Sequence, residues 1–163
     1  MTGTELQSLR RLLFFTVQEA AALVASSPDY PTGVQKSIWT QWEEGAIPVP
    51  DCVAEHVLHL YIWRAHTIKA FQAAIADARQ RAYAESPDME LDISVIWYAT
   101  LDDWLTLNER DPVMWRPQCS VAVEAVFFGA HLVKFDSLTY ARWLRGRVDS
   151  EVLRGEWAAS KMG

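Results

Sequence analysis

Cysteine is scarce in this chain: its 163 residues hold two, Cys52 and Cys119, far apart and in no CxxC pair. That excludes a disulfide framework and a cysteine-rich zinc site, and both thiols are expected to be reduced. Long apolar runs are missing as well. Arg, Glu, Asp or His interrupts every candidate short of the ~20 residues that span a bilayer, and no basic-then-apolar leader opens the chain, so the expectation is a cytoplasmic protein with no membrane partner. No GxSxG, HExxH, P-loop or GxGxxG stands in a suitable context, and the carboxylate pairs Glu43-Glu44 and Asp102-Asp103 are adjacent, so they point to different sides of a helix. The chain is therefore expected not to be an enzyme and to carry no cofactor. Positive charge is also in short supply: 15 Lys and Arg against 21 Asp and Glu leave a net charge of -6. Such a balance is unusual for a nucleic-acid binder, because affinity for random DNA comes mainly from Lys and Arg neutralising phosphates. A few well-placed donors still suffice for a specific site, and overall repulsion then suppresses binding elsewhere.

What is present is apolar content and punctuation. Half of the residues are hydrophobic, enough to bury a real core in one domain or two small ones. Eight tryptophans fall mostly on apolar stripes, where they fill core or subunit interface. Thr4-Glu5-Leu6-Gln7 has the capping-box pattern, and Leu6, Leu9, Leu12 and Leu13 recur at helical spacing, predicting a helix over 5–14. Thr16-Val17-Gln18-Glu19 is a second box, opening a helix that ends near Ser26. Two prolines and a glycine in 27–33 predict an extended turn, and a third helix starts near Val34 or Gln35. On it Trp39 and Trp42 face inward, Lys36, Ser37, Thr40 and Gln41 face outward, and Gly45 supplies a left-handed end. After Pro50 the pattern is helical to about Glu85, and Ser86-Pro87-Asp88 is the best domain boundary. Beyond it come a strand over 93–98, a short helix capped by Thr100, a helix opened by Pro117, a second strand over 132–135 and a helix capped by Ser137, with the tail left ambiguous. The fold class expected is mainly α with a minor β component: a helical domain over 1–86 and a small α+β domain over 87–163.

Trp39-Thr40-Gln41-Trp42-Glu43-Glu44-Gly45 resembles the end of the recognition helix in the Cro/repressor (XRE-like) helix-turn-helix family. Glu5-Leu6-Gln7-Ser8-Leu9-Arg10 and Trp115-Arg116-Pro117-Gln118-Cys119-Ser120-Val121-Ala122 resemble the YdiL-type and anti-CRISPR-associated regulators, which are small dimeric helix-turn-helix proteins. The resemblance implies an N-terminal DNA-binding domain, a C-terminal dimerisation domain, and repression of the operon that encodes the regulator. The partners it implies are double-stranded DNA, as an inverted-repeat operator, and a second copy of the chain. Lys36, Ser37 and Gln41 become the groove-facing readers, with Gln35 and Thr40 at their edge. Lys suits guanine O6 and N7, Gln suits adenine N6 and N7, and Ser takes either role. The wider family places a phosphate-binding Gln at the start of its second helix; here Val17 stands there and Gln18 follows. The family pairing of a helix-one Arg with a helix-three Glu implies a structural pair of Arg10 with Glu43. The 26–33 turn is longer than usual for this motif, which could bring Tyr30 and Thr32 near the DNA backbone.

Two other features invite different readings. Cys52, His56, His59 and His66 fall on one stripe of a helix, but at 1.5 Å per residue the ends lie about 21 Å apart, too far to close one tetrahedron. They are read as lining a seam, and no metal is expected. Arg142, Arg145 and Arg147 are read as a solvated face complementing a helix C-terminus. The alternative to DNA binding is a protein-interaction module that kept the helix-turn-helix shape and lost its affinity for DNA.

Overall fold

The computed structural model describes residues 1–26, 29–86 and 91–162. Its elements, in chain order, are α1 (Gly3–Leu12), α2 (Val17–Glu19) continuing into a π-helical turn (Ala20–Val24), α3 (Lys36–Glu43), α4 (Asp51–Glu85), β1 (Ile93–Trp97), α5 (Leu101–Leu105), a 3-10 turn (Pro112–Met114), α6 (Trp115–Val126), β2 (Ala130–Lys134), α7 (Ser137–Leu144) and α8 (Glu151–Ala159). This is a mainly α protein with a minor β component. It divides into two compact units, one made of Met1–Ala65 with Arg116–Ser120, the other of His66–Trp115 with Val121–Gly163. Helices α4 and α6 each contribute to both units.

In the first unit the helix starts follow from local chemistry. Thr2, not Thr4, caps α1: its hydroxyl accepts from the Glu5 N–H at 3.2 Å while Glu5 accepts from the Thr2 N–H at 2.6 Å. The threonine three residues before a glutamate gains the charged acceptor that complements the helix dipole. Thr16 and Glu19 make the same reciprocal pair at the start of α2. The core gathers Leu6, Leu13, Phe15, Ala20, Val24, Trp39 and Val57, all at most 3% exposed. Gly33, at φ +73, ends the turn before α3, and its successor Val34 donates to the Ala21 carbonyl at 2.9 Å. Residues 27 and 28 of the expected turn lie outside the described residues, as do 87 and 88 of the expected domain boundary.

In the second unit β1 and β2 pair in parallel, Ile93 with Ala130 through Trp97 with Lys134. A parallel pair needs a crossover, and α5, the 3-10 turn and α6 supply it. Asp136 rather than Ser137 caps α7, accepting from the Thr139 N–H at 2.8 Å. The tail that looked ambiguous is a further helix, α8, capped by Ser150. Its Trp157 and Arg154 are each 1% exposed. Arg154 donates to both Asp149 oxygens and to the hydroxyls of Thr106 and Tyr98, and lies 4.8 Å from the Phe135 ring centre. A charge buried this deeply persists only with such a complement of acceptors. Tyr140 closes the network with a 2.5 Å bond to Asp149, and burial with that carboxylate pushes its phenol up to about 12.

Candidate nucleic-acid interface

Helix α3 is short, so its orientation depends on what it buries. Trp39 and Trp42 are 0% and 2% exposed and meet edge to face at 5.7 Å; the Tyr30 ring adds a second edge contact to Trp42 at 6.3 Å. Tyr30 is therefore partly committed to holding α3. The opposite side carries Lys36, Ser37 and Gln41, all exposed, with Thr40 half-buried and its hydroxyl turned back on the Lys36 carbonyl at 3.0 Å. Gln35 is exposed but precedes the helix, in extended backbone, as its N-cap residue. Among the described residues no side chain caps the amino end of α3. Gly45, at φ +72, lies just past its carboxyl end. Gln18 is exposed in the first turn of α2.

The back of α3 is fixed by an ionic clamp. Arg10 of α1 donates to the two Glu43 oxygens at 2.5 and 3.1 Å and to the Phe15 carbonyl at 2.8 Å. Glu43 also accepts from the Trp39 indole N–H at 2.6 Å and from Gln7 at 3.3 Å. The two side chains of the pair are 8% and 4% exposed. Burial alone would raise the Glu43 pKa, but the donors from Arg10, Trp39 and Gln7 outweigh it and hold the carboxyl below its ordinary value. The helices touch closely here, because a Cβ on Gly3 would fall 2.3 Å from the Trp42 carbonyl oxygen.

A second clamp joins residues 97 apart. Arg116 donates to both oxygens of Glu19, with its shortest contact 2.6 Å, while Glu19 keeps its capping bond to the Thr16 N–H. Both side chains are 22% exposed. Nearby, Arg64 donates to the Ser120 hydroxyl, which itself donates to the Pro117 carbonyl. Sequence reasoning singled out the segment carrying Arg116 but gave that residue no role, and it missed Gln7 and the Trp39 indole as Glu43 partners. A glutamine one turn before Arg10 was the available signal for Gln7.

His56 Nδ1 lies 2.9 Å from the Val24 carbonyl, and among the described residues no group of three or more His, Cys, Asp and Glu could hold a metal. Neither Cys52 nor Cys119 forms a disulfide, and burial pushes the Cys119 thiol up to about 11. Arg147 donates to the Leu144 and Trp143 carbonyls at the end of α7 and lies 4.2 Å over the Trp143 ring. No helix among the described residues is long and apolar enough to cross a membrane.

A family model described as Aca2/YdiL-like matches residues 1–133, a range that takes in α3, both clamps and the Arg116 segment. The Aca2 repressor of Pectobacterium phage ZF40 is 32% identical over 123 residues, covering 75% of this chain and 90% of that protein. The uncharacterized protein YdiL of Escherichia coli K12 is 36% identical over 58 residues, 36% of this chain and 44% of its own length.

Proposed function

The chain belongs to the Aca2/YdiL-like family, and from that premise we propose that it is a transcriptional regulator, a repressor that binds an inverted repeat in double-stranded DNA as a homodimer. The observation that carries this reading is α3 itself: three exposed polar side chains, Lys36, Ser37 and Gln41, stand on a helix whose other side is locked by two buried tryptophans and a buried ion pair. A rigid helix with that set can discriminate bases in a major groove, each good bidentate pair contributing about 1–3 kcal/mol. Gln35 and Thr40 flank the readers, Gln18 contacts phosphate, and α1 to α3 serve as the helix-turn-helix. The first unit then reads DNA, while the second joins two copies. Exposed apolar residues of the second unit, among them Tyr83, Phe127, Leu138 and Val152, support that division. Two-fold symmetry places half-sites about one helical turn apart, roughly 34–36 Å. The chain works in the cytoplasm, without catalysis.

The test is to incubate the purified protein with fragmented genomic DNA of its source at physiological salt and sequence what is retained. Enrichment of one inverted repeat is expected. Retention of no fragment by a folded dimer would refute the reading. The net charge of -6 favours the second reading, a protein-interaction module of the same fold, and that result would turn attention to protein partners.

A further inference from the structure

The clamp between Arg116 and Glu19 is more than the capping of α2 requires. A capping box works with glutamine as well as glutamate, so the charge on Glu19 is dispensable for the helix start. Yet both of its oxygens are engaged by a planar guanidinium from residue 116. The net effect of that pairing and of the Thr16 bonds, against burial, lowers the Glu19 pKa, so the carboxylate is charged at neutral pH. When a recognition helix enters the major groove, the helix before it crosses the phosphate backbone. A bare carboxylate in the first turn of α2, next to Gln18, would repel those phosphates.

We propose that Arg116 is a positioning residue for DNA binding: by neutralising Glu19 in a bidentate pair it permits the first turn of α2 to approach the phosphate backbone. The inference rests on the reading of α3 as the DNA-reading helix. It gives the Trp115-Arg116-Pro117 segment a purpose in binding although that segment lies in the later half of the chain. Arg suits the position better than Lys, since its fork meets both oxygens at once. At 22% exposure the pair is open enough for an unmasked charge to be felt by an approaching duplex.

The test compares wild-type protein, Arg116→Gln, Glu19→Gln and the double variant, measuring affinity for the duplex most strongly retained in the genomic selection, at low and at physiological salt, with thermal unfolding alongside. Arg116→Gln is expected to bind about tenfold more weakly, as like charges at an interface demand, and the loss shrinks as salt screens the exposed charge. Glu19→Gln binds no worse than wild type, and the double variant regains wild-type affinity. A purely structural pair predicts otherwise: each single variant strands its partner, so Glu19→Gln as well as Arg116→Gln would lose binding in proportion to lost stability. Arg116→Gln that binds as tightly as wild type, or a double variant as weak as Arg116→Gln, overturns the inference. Should Arg116→Gln not fold, Arg116→Lys keeps the charge and is expected to keep most of the affinity; a tenfold loss there overturns it instead. Wild-type protein that retains no duplex removes this inference together with the DNA-binding reading, whereas wild-type binding with an unaffected Arg116→Gln removes this one alone.

Discussion

Glu43 serves three donors at once, from Arg10, Trp39 and Gln7, so its loss would strand a buried guanidinium and an indole N–H. Breaking such a pair by removing one partner costs about 3–5 kcal/mol, and Glu43→Gln is expected to lower the unfolding free energy near neutral pH by that order in denaturant titrations. Because the folded carboxyl titrates below the unfolded one, its stabilisation is complete above the ordinary glutamate range and is lost as pH falls through the lowered value. The gap between wild type and Glu43→Gln therefore narrows in acid, and a constant gap down to the acid limb would contradict this. Lys36 and Gln41 behave oppositely. Exposed and away from the clamp, their alanine variants are expected, on the proposed reading, to leave the melting temperature in place and to relax base preference at separate positions of the retained repeat, read by repeating the genomic selection. Unchanged profiles in both would remove them as readers.

Between elements, close approach dominates. Gly3 lets α1 lie against the last turn of α3, and Gly3→Ala drives a methyl into the Trp42 and Glu43 carbonyls at 2.3 and 2.5 Å. Overpacking of that kind costs about 1–3 kcal/mol, to be seen as a lowered melting temperature. This contact could not be read from sequence, where Gly3 looks like an ordinary terminal residue. What could be read was local: the Thr16 to Glu19 box, the inward spacing of Trp39 and Trp42, the cap at Thr100. The first box was placed two residues late, because Thr4 with Gln7 fits the same pattern as Thr2 with Glu5 and only the structure shows which pair closes. Helix α8 was hidden by Arg154 and Gly155, which break its apolar stripe until the buried network around that arginine is visible. The strands were legible as segments, but their parallel register is a pairing of residues 37 apart, Ile93 with Ala130, which periodicity does not encode.

At the scale of the molecule, the exposed polar face of α3 was legible in the sequence and the Arg116 to Glu19 pair was not, since no local pattern links those two residues. The first unit is discontinuous: residues 1–65 are completed by 116–120. A chain ended at residue 86 keeps α1 to α3 but lacks the Arg116 clamp, the Ser120 hydroxyl that Arg64 meets, and the buried Pro117. It is expected to unfold at a lower temperature and over a broader range than the same unit in the whole chain, as circular dichroism would record; equal melting of the two would show that the segment adds nothing. On the ribosome the same feature sets an order of events. Domains generally fold from the N-terminal end as they emerge, yet here the first-made unit is completed only by a stretch of polypeptide synthesised some fifty residues later. A messenger cut short before codon 120, or a nascent chain stalled there, would yield the proposed reading helix α3 without the Arg116 brace on its neighbour α2, so the complete unit arrives late in translation.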